Sequence, residues 1–213
     1  MTHKTNRKIS LAKLINNLKK KKILIISGKN SFSKSGAEKI FNKNFKKENF
    51  SIYYKKTKNP DIEELKKINN LFLRFKPEVI LGIGGGAVID YAKLASTKFI
   101  KGNVKKLKPI LIKEKRCKLM IIPTTSGSGA ECTKFSVLYV KNKKFSIENN
   151  LLMPEFYCLI PRLNLSNTMY QRSCSSLDAF CQSTESIFSI NANNMSVNYA
   201  KKSIKLFLDN FEN

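Results

Sequence analysis

A five-residue apolar run ending in three consecutive glycines constrains this chain more than any other stretch. Val79–Ile83 has the length and bulk of a buried strand. Gly84-Gly85-Gly86 follows it, and Ile89, Ala92 and Phe99 then recur at helical spacing. Strand, glycine turn and helix together bring main-chain N–H groups close to an anion, because glycine bends tightly and has no Cβ to hold a ligand off. The helix aims its positive end at the same point. A P-loop is excluded, since Ala87-Val88 stands where Lys-Ser/Thr is required. Gly82-x-Gly84-x-x-Ala87 nearly matches the dinucleotide fingerprint, but Lys105-Lys106-Leu107-Lys108 occupies the region where that fingerprint wants an acid. Taken alone, the turn reads equally as a tight βα connection that binds nothing.

A second turn adds weight to the ligand reading. Leu119–Ile122 is another short apolar strand, and Pro123-Thr124-Thr125-Ser126-Gly127-Ser128-Gly129-Ala130-Glu131 follows it. Hydroxyls and flexible backbone thus stand at the carboxyl end of a strand, the edge where open α/β sheets bind ligands. The two stretches resemble the iron-containing alcohol dehydrogenase family, which is related in fold to dehydroquinate synthase. Its Gly-Gly-Gly-Ser-x-x-Asp-x-Ala-Lys motif reads here as Gly84 to Lys93, with Ala87 in place of Ser. Its Pro-Thr-Thr-x-Gly-Thr-Gly-Ser-Glu motif reads as Pro123 to Glu131, with Ser128 and Ala130 substituted. The resemblance implies NAD or NADP as cofactor, held by Gly84, Gly85, Gly86 and Ala87 at the pyrophosphate. Thr124, Thr125 and Ser128 would contact the cofactor, and Asp90 and Lys93 would lie toward the nicotinamide.

The order of elements fits that fold. Ile9–Leu18 is amphipathic. Ile23–Ser27 reads as a strand ending in Gly28-Lys29-Asn30-Ser31, another candidate ligand-facing turn. Gly36–Phe45 reads as a helix and Ser51–Tyr54 as a strand. Asn59-Pro60-Asp61 starts a helix with Asn as its cap and Pro at the first helical position. That helix presents Ile62, Leu65, Ile68, Phe72 and Phe75 to a sheet. Alternation of this kind means a parallel sheet with helices on both faces, a Rossmann-like α/β domain. The helix after the glycines is expected to reach about Phe99. Phe135–Val140 and Lys144–Ile147 read as a hairpin, and Phe156–Ile160 as a further strand. From Asn164 onward the chain reads as helical. The expected organisation is a nucleotide-binding domain over 1–161 and the start of an incomplete all-helical metal and substrate domain over 162–213.

The helical part departs from the family's pattern. Leu177-Asp178-Ala179-Phe180-Cys181-Gln182-Ser183-Thr184-Glu185 aligns with Asp-Ala-Leu-x-His-Ala-x-Glu, whose Asp and His hold iron or zinc. Asp178 is retained and Gln182 takes the histidine position. A glutamine carbonyl is a much poorer ligand for these metals than an imidazole nitrogen. The resemblance implies further histidine ligands on later helices, but His3 is the only histidine of the chain. The isolated chain is therefore expected to lack a tight iron or zinc site and to be inactive alone. The apolar stripe Val197, Ala200, Ile204, Phe207 and Phe211 must be buried against something, and no later sequence remains to cover it.

Composition excludes several classes. Five scattered cysteines with no Cys-x-x-Cys fit free thiols in a reducing cytoplasm. No apolar run approaches the roughly 20 residues of a membrane span, and the N-terminus leads into no signal segment. The formal charge of +25 comes mostly from lysines spread along the whole chain. No arginine stripe interleaves with aromatics, so no specific nucleic-acid partner is expected. The implied function is hydride transfer between a nicotinamide and a small alcohol or aldehyde, phosphonoacetaldehyde being one candidate. The alternatives are a truncated non-catalytic nucleotide-binding fragment, the partner of a separate second half, and a dehydroquinate synthase-like lyase. A homo-oligomer is a further expectation.

Overall fold

Ile23, Ile25, Val79, Leu81, Met120 and Ile122 pack into one apolar cluster, while Leu24, Ile26, Ile80, Leu119 and Ile121 pack into another. This two-residue alternation along three strands is what a sheet buried on both faces requires. The computed structural model describes residues 6–211; His3 lies outside the described residues.

In chain order the elements are β1 (Arg7–Lys8), α1 (Leu11–Leu18), β2 (Ile23–Gly28), α2 (Lys29–Lys34), α3 (Ala37–Asn44), β3 (Phe50–Lys55), α4 (Ile62–Phe75), β4 (Val79–Gly84), α5 (Gly86–Ala95), β5 (Thr97–Asn103), β6 (Lys108–Lys115), β7 (Lys118–Pro123), β8 (Phe135–Val140), β9 (Lys143–Glu148), β10 (Phe156–Tyr157), α6 (Met169–Phe188) and α7 (Asn194–Asn210). They form two compact units. One holds the described residues up to Thr124 with Ala130–Ser166; the other holds Thr125–Gly129 with the described residues from Asn167 onward.

The first unit is built on a six-stranded parallel sheet of order β1-β10-β7-β4-β2-β3. Side chains of α4 and α5 cover one face, and those of α1, α2 and α3 cover the other. Asp61 caps α4 by accepting the N–H groups of Glu63 and Glu64. The helix therefore starts two residues later than the Asn59 cap expected from sequence. The β8–β9 hairpin turns through Lys141 and Asn142, both at positive φ, the conformation that matches strand twist in a two-residue loop.

Two further expectations are corrected: the strand expected over Phe156–Ile160 covers only Phe156–Tyr157, and the helix after the glycines is shorter. α5 ends at Ala95 rather than near Phe99. The hydroxyls of Ser96 and Thr97 bond back to the carbonyls of Lys93 and Leu94, at 2.7 and 2.9 Å. The chain then leaves as β5, which pairs antiparallel with β6, a hairpin that helical spacing at Phe99 conceals.

The second unit packs α6 on α7. Thr168 and Asn193 open the two helices with capping boxes. Ser183 Oγ lies 2.7 Å from Ser203 Oγ, and the Phe180 and Phe207 rings are 4.8 Å apart. The α7 stripe is thus covered in part by α6, with Ala200 buried. Among the described residues no helix is long and apolar enough to cross a membrane.

Candidate functional site

The connections of the parallel sheet reverse direction between β2 and β4. β2 leads outward to β3 along one face, and β4 leads the other way to β7. At such a switch point the loops part and leave a crevice at the carboxyl ends of the strands. Here β2 ends in Ser27-Gly28 and β4 ends in Gly84. The buried Ser27 hydroxyl donates to the Ile83 carbonyl at 2.6 Å and ties the two ends together.

The glycines divide the work. A Cβ on Gly82 would sit 2.8 Å from Ala92 Cβ, and one on Gly84 would sit 2.6 Å from Val88 Cγ2. These two glycines let α5 lie directly on β4. Gly85 is the N-cap of α5, with φ −81° and ψ −173°, a conformation open to any residue. Gly86 and Ala87 begin the helix, so their N–H groups have no intrahelical acceptor. Unpaired N–H groups at a helix start, with the helix dipole behind them, are the chemistry an anion requires. The Gly84 carbonyl accepts from the Thr124 N–H at 3.1 Å, which brings buried Thr124 to the same edge.

Asp90 and Lys93 face β8. Lys93 is fully buried, and its ammonium donates to Thr133 Oγ1 at 3.0 Å and to the Phe135 carbonyl at 2.7 Å. Burial pushes its pKa down to about 8, against the opposing charges of Asp90 and Glu131. Burial likewise pushes the Asp90 carboxyl up to about 6, although the Val137 N–H and the Lys93 charge favour its ionised form. Both groups fix the β8 hairpin to α5.

The turn after β3 is organised by residues that sequence patterning did not single out. The Glu64 carboxylate accepts from the Lys56 N–H at 2.5 Å, the Thr57 N–H at 2.8 Å, the Thr57 hydroxyl and the Tyr91 hydroxyl. Burial raises its pKa, but these donors outweigh burial and leave it below the usual carboxylate value. The available signal was register: Glu64 lies four residues before Ile68 and eight before Phe72, on the buried side of α4.

Thr125, Ser128, Asp178 and Gln182 belong to the second unit. Gly127 lies against α6, where an added Cβ would come 2.1 Å from the Ser175 carbonyl oxygen, and Gly129 has φ +59°. These are the physical reasons for glycine in the second motif. Asp178 and Gln182 are exposed one turn apart on α6, and Gln182 Nε2 donates to Asp178 Oδ2 at 2.9 Å.

The family model for "Iron-containing alcohol dehydrogenase" matches residues 3–161. The chain belongs to the iron-containing alcohol dehydrogenase family. The aldehyde-alcohol dehydrogenase of Streptococcus pneumoniae serotype 4 is 29% identical over 180 residues, covering 76% of this chain and 20% of that protein. The NADH-dependent butanol dehydrogenase A of Thermotoga maritima superposes with a TM-score of 0.81 at 19% identity, over 96% of this chain and 54% of that one. Sulfoacetaldehyde reductase of Bifidobacterium kashiwanohense, solved with NAD+, gives 0.81 at 19% identity over 95% and 56%. The chain therefore spans a fifth of that relative's length and just over half of these two structures. Their shared fold is the dehydroquinate synthase-like α/β architecture expected from sequence.

The family's metal can be tested against the donors present. Among the described residues no three of His, Cys, Asp and Glu are grouped to hold an ion. Asp178 offers one carboxylate, and the Gln182 amide turns its nitrogen, which is not a metal ligand, toward that carboxylate. Iron and zinc want three or four nitrogen, sulfur or carboxylate ligands. The described residues do not fit the metal by themselves.

Proposed function

We propose that this chain carries the nucleotide-binding part of an NAD(P)-dependent oxidoreductase acting on a small alcohol or aldehyde. The reading is carried by the glycine turn at the switch point, where the N–H groups of Gly86 and Ala87 are left to meet a pyrophosphate. When bound, the nicotinamide supplies the hydride chemistry. The chain's own residues bind and orient: Gly85 keeps side-chain atoms off the phosphates, Gly86 and Ala87 donate N–H groups, and Thr124 stands at the adjoining strand end. Lys93 and Asp90 hold the α5–β8 contact that sets the helix in place.

Gly85→Asp tests this at a position whose backbone conformation accepts a side chain. Gly85 has ordinary extended backbone at an N-cap, and aspartate is a favoured N-cap residue. Capping should hold or improve while a carboxylate enters the space for phosphate. Calorimetric titration with NADH and NADPH should show affinity reduced by about tenfold or more, roughly 1.4 kcal/mol. Equal affinity in folded wild type and variant removes the assignment.

The Asp178–Gln182 hydrogen bond favours a second reading, nucleotide binding without alcohol turnover by this chain alone. Metal analysis after dialysis, with alcohol oxidation and aldehyde reduction assays in added ferrous or zinc ion, separates the two. Stoichiometric metal with robust turnover eliminates the second.

A further inference from the structure

We infer that the tip of the β5–β6 hairpin docks on an anionic lipid surface. Val104 and Leu107 enter the headgroup layer, and the lysines around them meet the anionic headgroups. The inference does not depend on the nucleotide reading. α5 starts at the crevice, and the hairpin leaves from its far end, Ala95. The chain then returns to β7, whose first residue, Lys118, is in register with Val79, the first residue of β4. The hairpin is therefore rooted at the edge of the sheet opposite the crevice, and a surface held there leaves the crevice open.

The root is fixed. The Arg116 N–H donates to the Ser96 carbonyl at 2.9 Å, and Phe99, Ile110 and Ile112 pack against the core. The tip is built as well: Asn103 Oδ1 accepts from the Lys105 and Lys106 N–H groups at 2.9 and 3.3 Å. This turn holds Val104 and Leu107 in solvent, 40% and 74% exposed. Leu107 has φ +56°, in the left-handed region that leucine seldom adopts and that glycine or asparagine tolerates. Neither turn chemistry nor core packing accounts for a leucine there. Behind the tip, Ile100 and Leu111 are cross-strand partners and are exposed too.

Charge decides which partner suits these side chains. The hairpin from Thr97 to Lys115 carries seven lysines and a single acid, Glu114. Glu114 pairs with Lys98 at 3.2 Å, and Lys115 reaches the Leu151 carbonyl at 2.9 Å and Glu155 at 3.8 Å. Lys101, Lys105, Lys106, Lys108 and Lys113 are exposed, and none of them forms an ion pair among the described residues. Aliphatic side chains ringed by lysines match a membrane interface, where the stems lie against acyl chains and the ammonium groups reach anionic headgroups. Protein interfaces favour arginine and aromatics over lysine. Nucleic acids are read by arginine and stacked on by aromatics. The hairpin has no arginine, and its one aromatic, Phe99, packs against the core.

The whole chain is strongly basic, so the test must separate a site from a general field. The full chain is co-sedimented with vesicles of phosphatidylcholine alone and of equal parts phosphatidylcholine and phosphatidylserine, at about 0.15 M salt, where fields beyond about 8 Å are screened. Only the phosphatidylserine vesicles should bind it. Leu107→Asn keeps every charge and suits the left-handed turn, so it should melt no lower than wild type. It should nonetheless bind about tenfold more weakly, the range of one buried aliphatic side chain. Lys105→Glu with Lys106→Glu should weaken binding by about tenfold or more. Lys39→Glu with Lys43→Glu makes the same charge change on exposed residues of α3, and should leave binding within about twofold. Absence of binding, or equal binding to both vesicle types, overturns the inference. Wild-type affinity in Leu107→Asn, or an equal loss in the α3 variant, overturns it in favour of nonspecific charge. Tighter binding to a single-stranded oligonucleotide, lost in Lys105→Glu with Lys106→Glu but unmoved in Leu107→Asn, overturns it and assigns the lysines to nucleic acid.

Discussion

The Tyr91 hydroxyl sits 3.1 Å from Glu64 Oε2 and 2.6 Å from the Asp61 nitrogen, so one phenol joins α5 to the first turn of α4. It donates to the carboxylate and accepts the Asp61 N–H, and Thr57 Oγ1 lies 2.7 Å away. The helix that starts at the glycine turn is thereby tied to the turn after β3.

Tyr91→Phe should destabilise the protein by about 1–3 kcal/mol, since it leaves a buried carboxylate short of a donor and a main-chain N–H short of an acceptor. Urea unfolding midpoints measure this. A change below a few tenths of a kcal/mol would mean that water replaces the phenol. Glu64 adds an acid dependence. Its folded pKa is depressed, so its contribution is present above about pH 4.3 and is lost as pH falls through the folded value. Glu64→Gln should blunt that acid limb.

Gly84→Ala should cost about 1–3 kcal/mol, in the range of an overpacked core. The new methyl would meet Val88 Cγ2 at 2.6 Å and Val88 Cβ at 2.7 Å. Val88→Ala removes the γ carbons, so the double variant should recover part of the loss, visible as a non-additive cycle. Additive effects would place the strain elsewhere. Gly82→Ala should behave similarly against Ala92 Cβ, which is attached directly to the α5 backbone.

Where buried strands alternate and helices carry stripes, the fold was legible. β2, β4, β7, α4 and the β8–β9 hairpin follow from period and turn chemistry. The end of α5 and the β5–β6 hairpin were not legible, because Phe99 continues the helical spacing of Ala92. Two hydroxyls, Ser96 and Thr97, end the helix first. The glycine turn could be read from composition, but not its division of labour. Gly84 serves packing against Val88, whereas Gly85 caps α5 with a backbone conformation open to any residue. Register with Ile68 and Phe72 put Glu64 on the buried side of α4, but its donors in the turn after β3 and at Tyr91 of α5 depend on the tertiary fold and were not legible. The α7 stripe looked unpartnered because its partner, Phe180 on α6, lies in a helix read mainly for ligands.

Gly127→Ala should destabilise the second unit selectively. Its Cβ would lie 2.1 Å from the Ser175 carbonyl oxygen, which is backbone and cannot rotate away. Hydrogen exchange should show faster opening in Thr125–Gly129 and around Ser175, while Val79–Ile83 stays protected. Uniform loss of protection across both units would show that the loop is coupled to the whole chain.

Asp90 gives a prediction about pH with a definite sign. Burial holds its folded pKa near 6, against about 3.9 in an unfolded chain. The folded state therefore binds the proton more tightly. Its contribution is fully present below about pH 3.9 and is lost as pH rises through 6, a loss on the order of 3 kcal/mol. Lys93 acts on the alkaline side. With a folded pKa near 8, below about 10.4 unfolded, its contribution grows as pH rises through 8 toward that value. Between 6 and 8 both groups are charged inside the protein, and this pair contributes least there. Glu64 works in the opposite sense to Asp90, but below about pH 4.3, so the interval from 5 to 7 isolates Asp90. Urea midpoints of the wild type should fall across that interval, and those of Asp90→Asn should stay level. Lys93→Met should move the Asp90 transition to higher pH, because the carboxylate loses its compensating charge. Parallel curves for wild type and Asp90→Asn would show that Asp90 titrates as an ordinary surface acid and that its contact with β8 opens in solution.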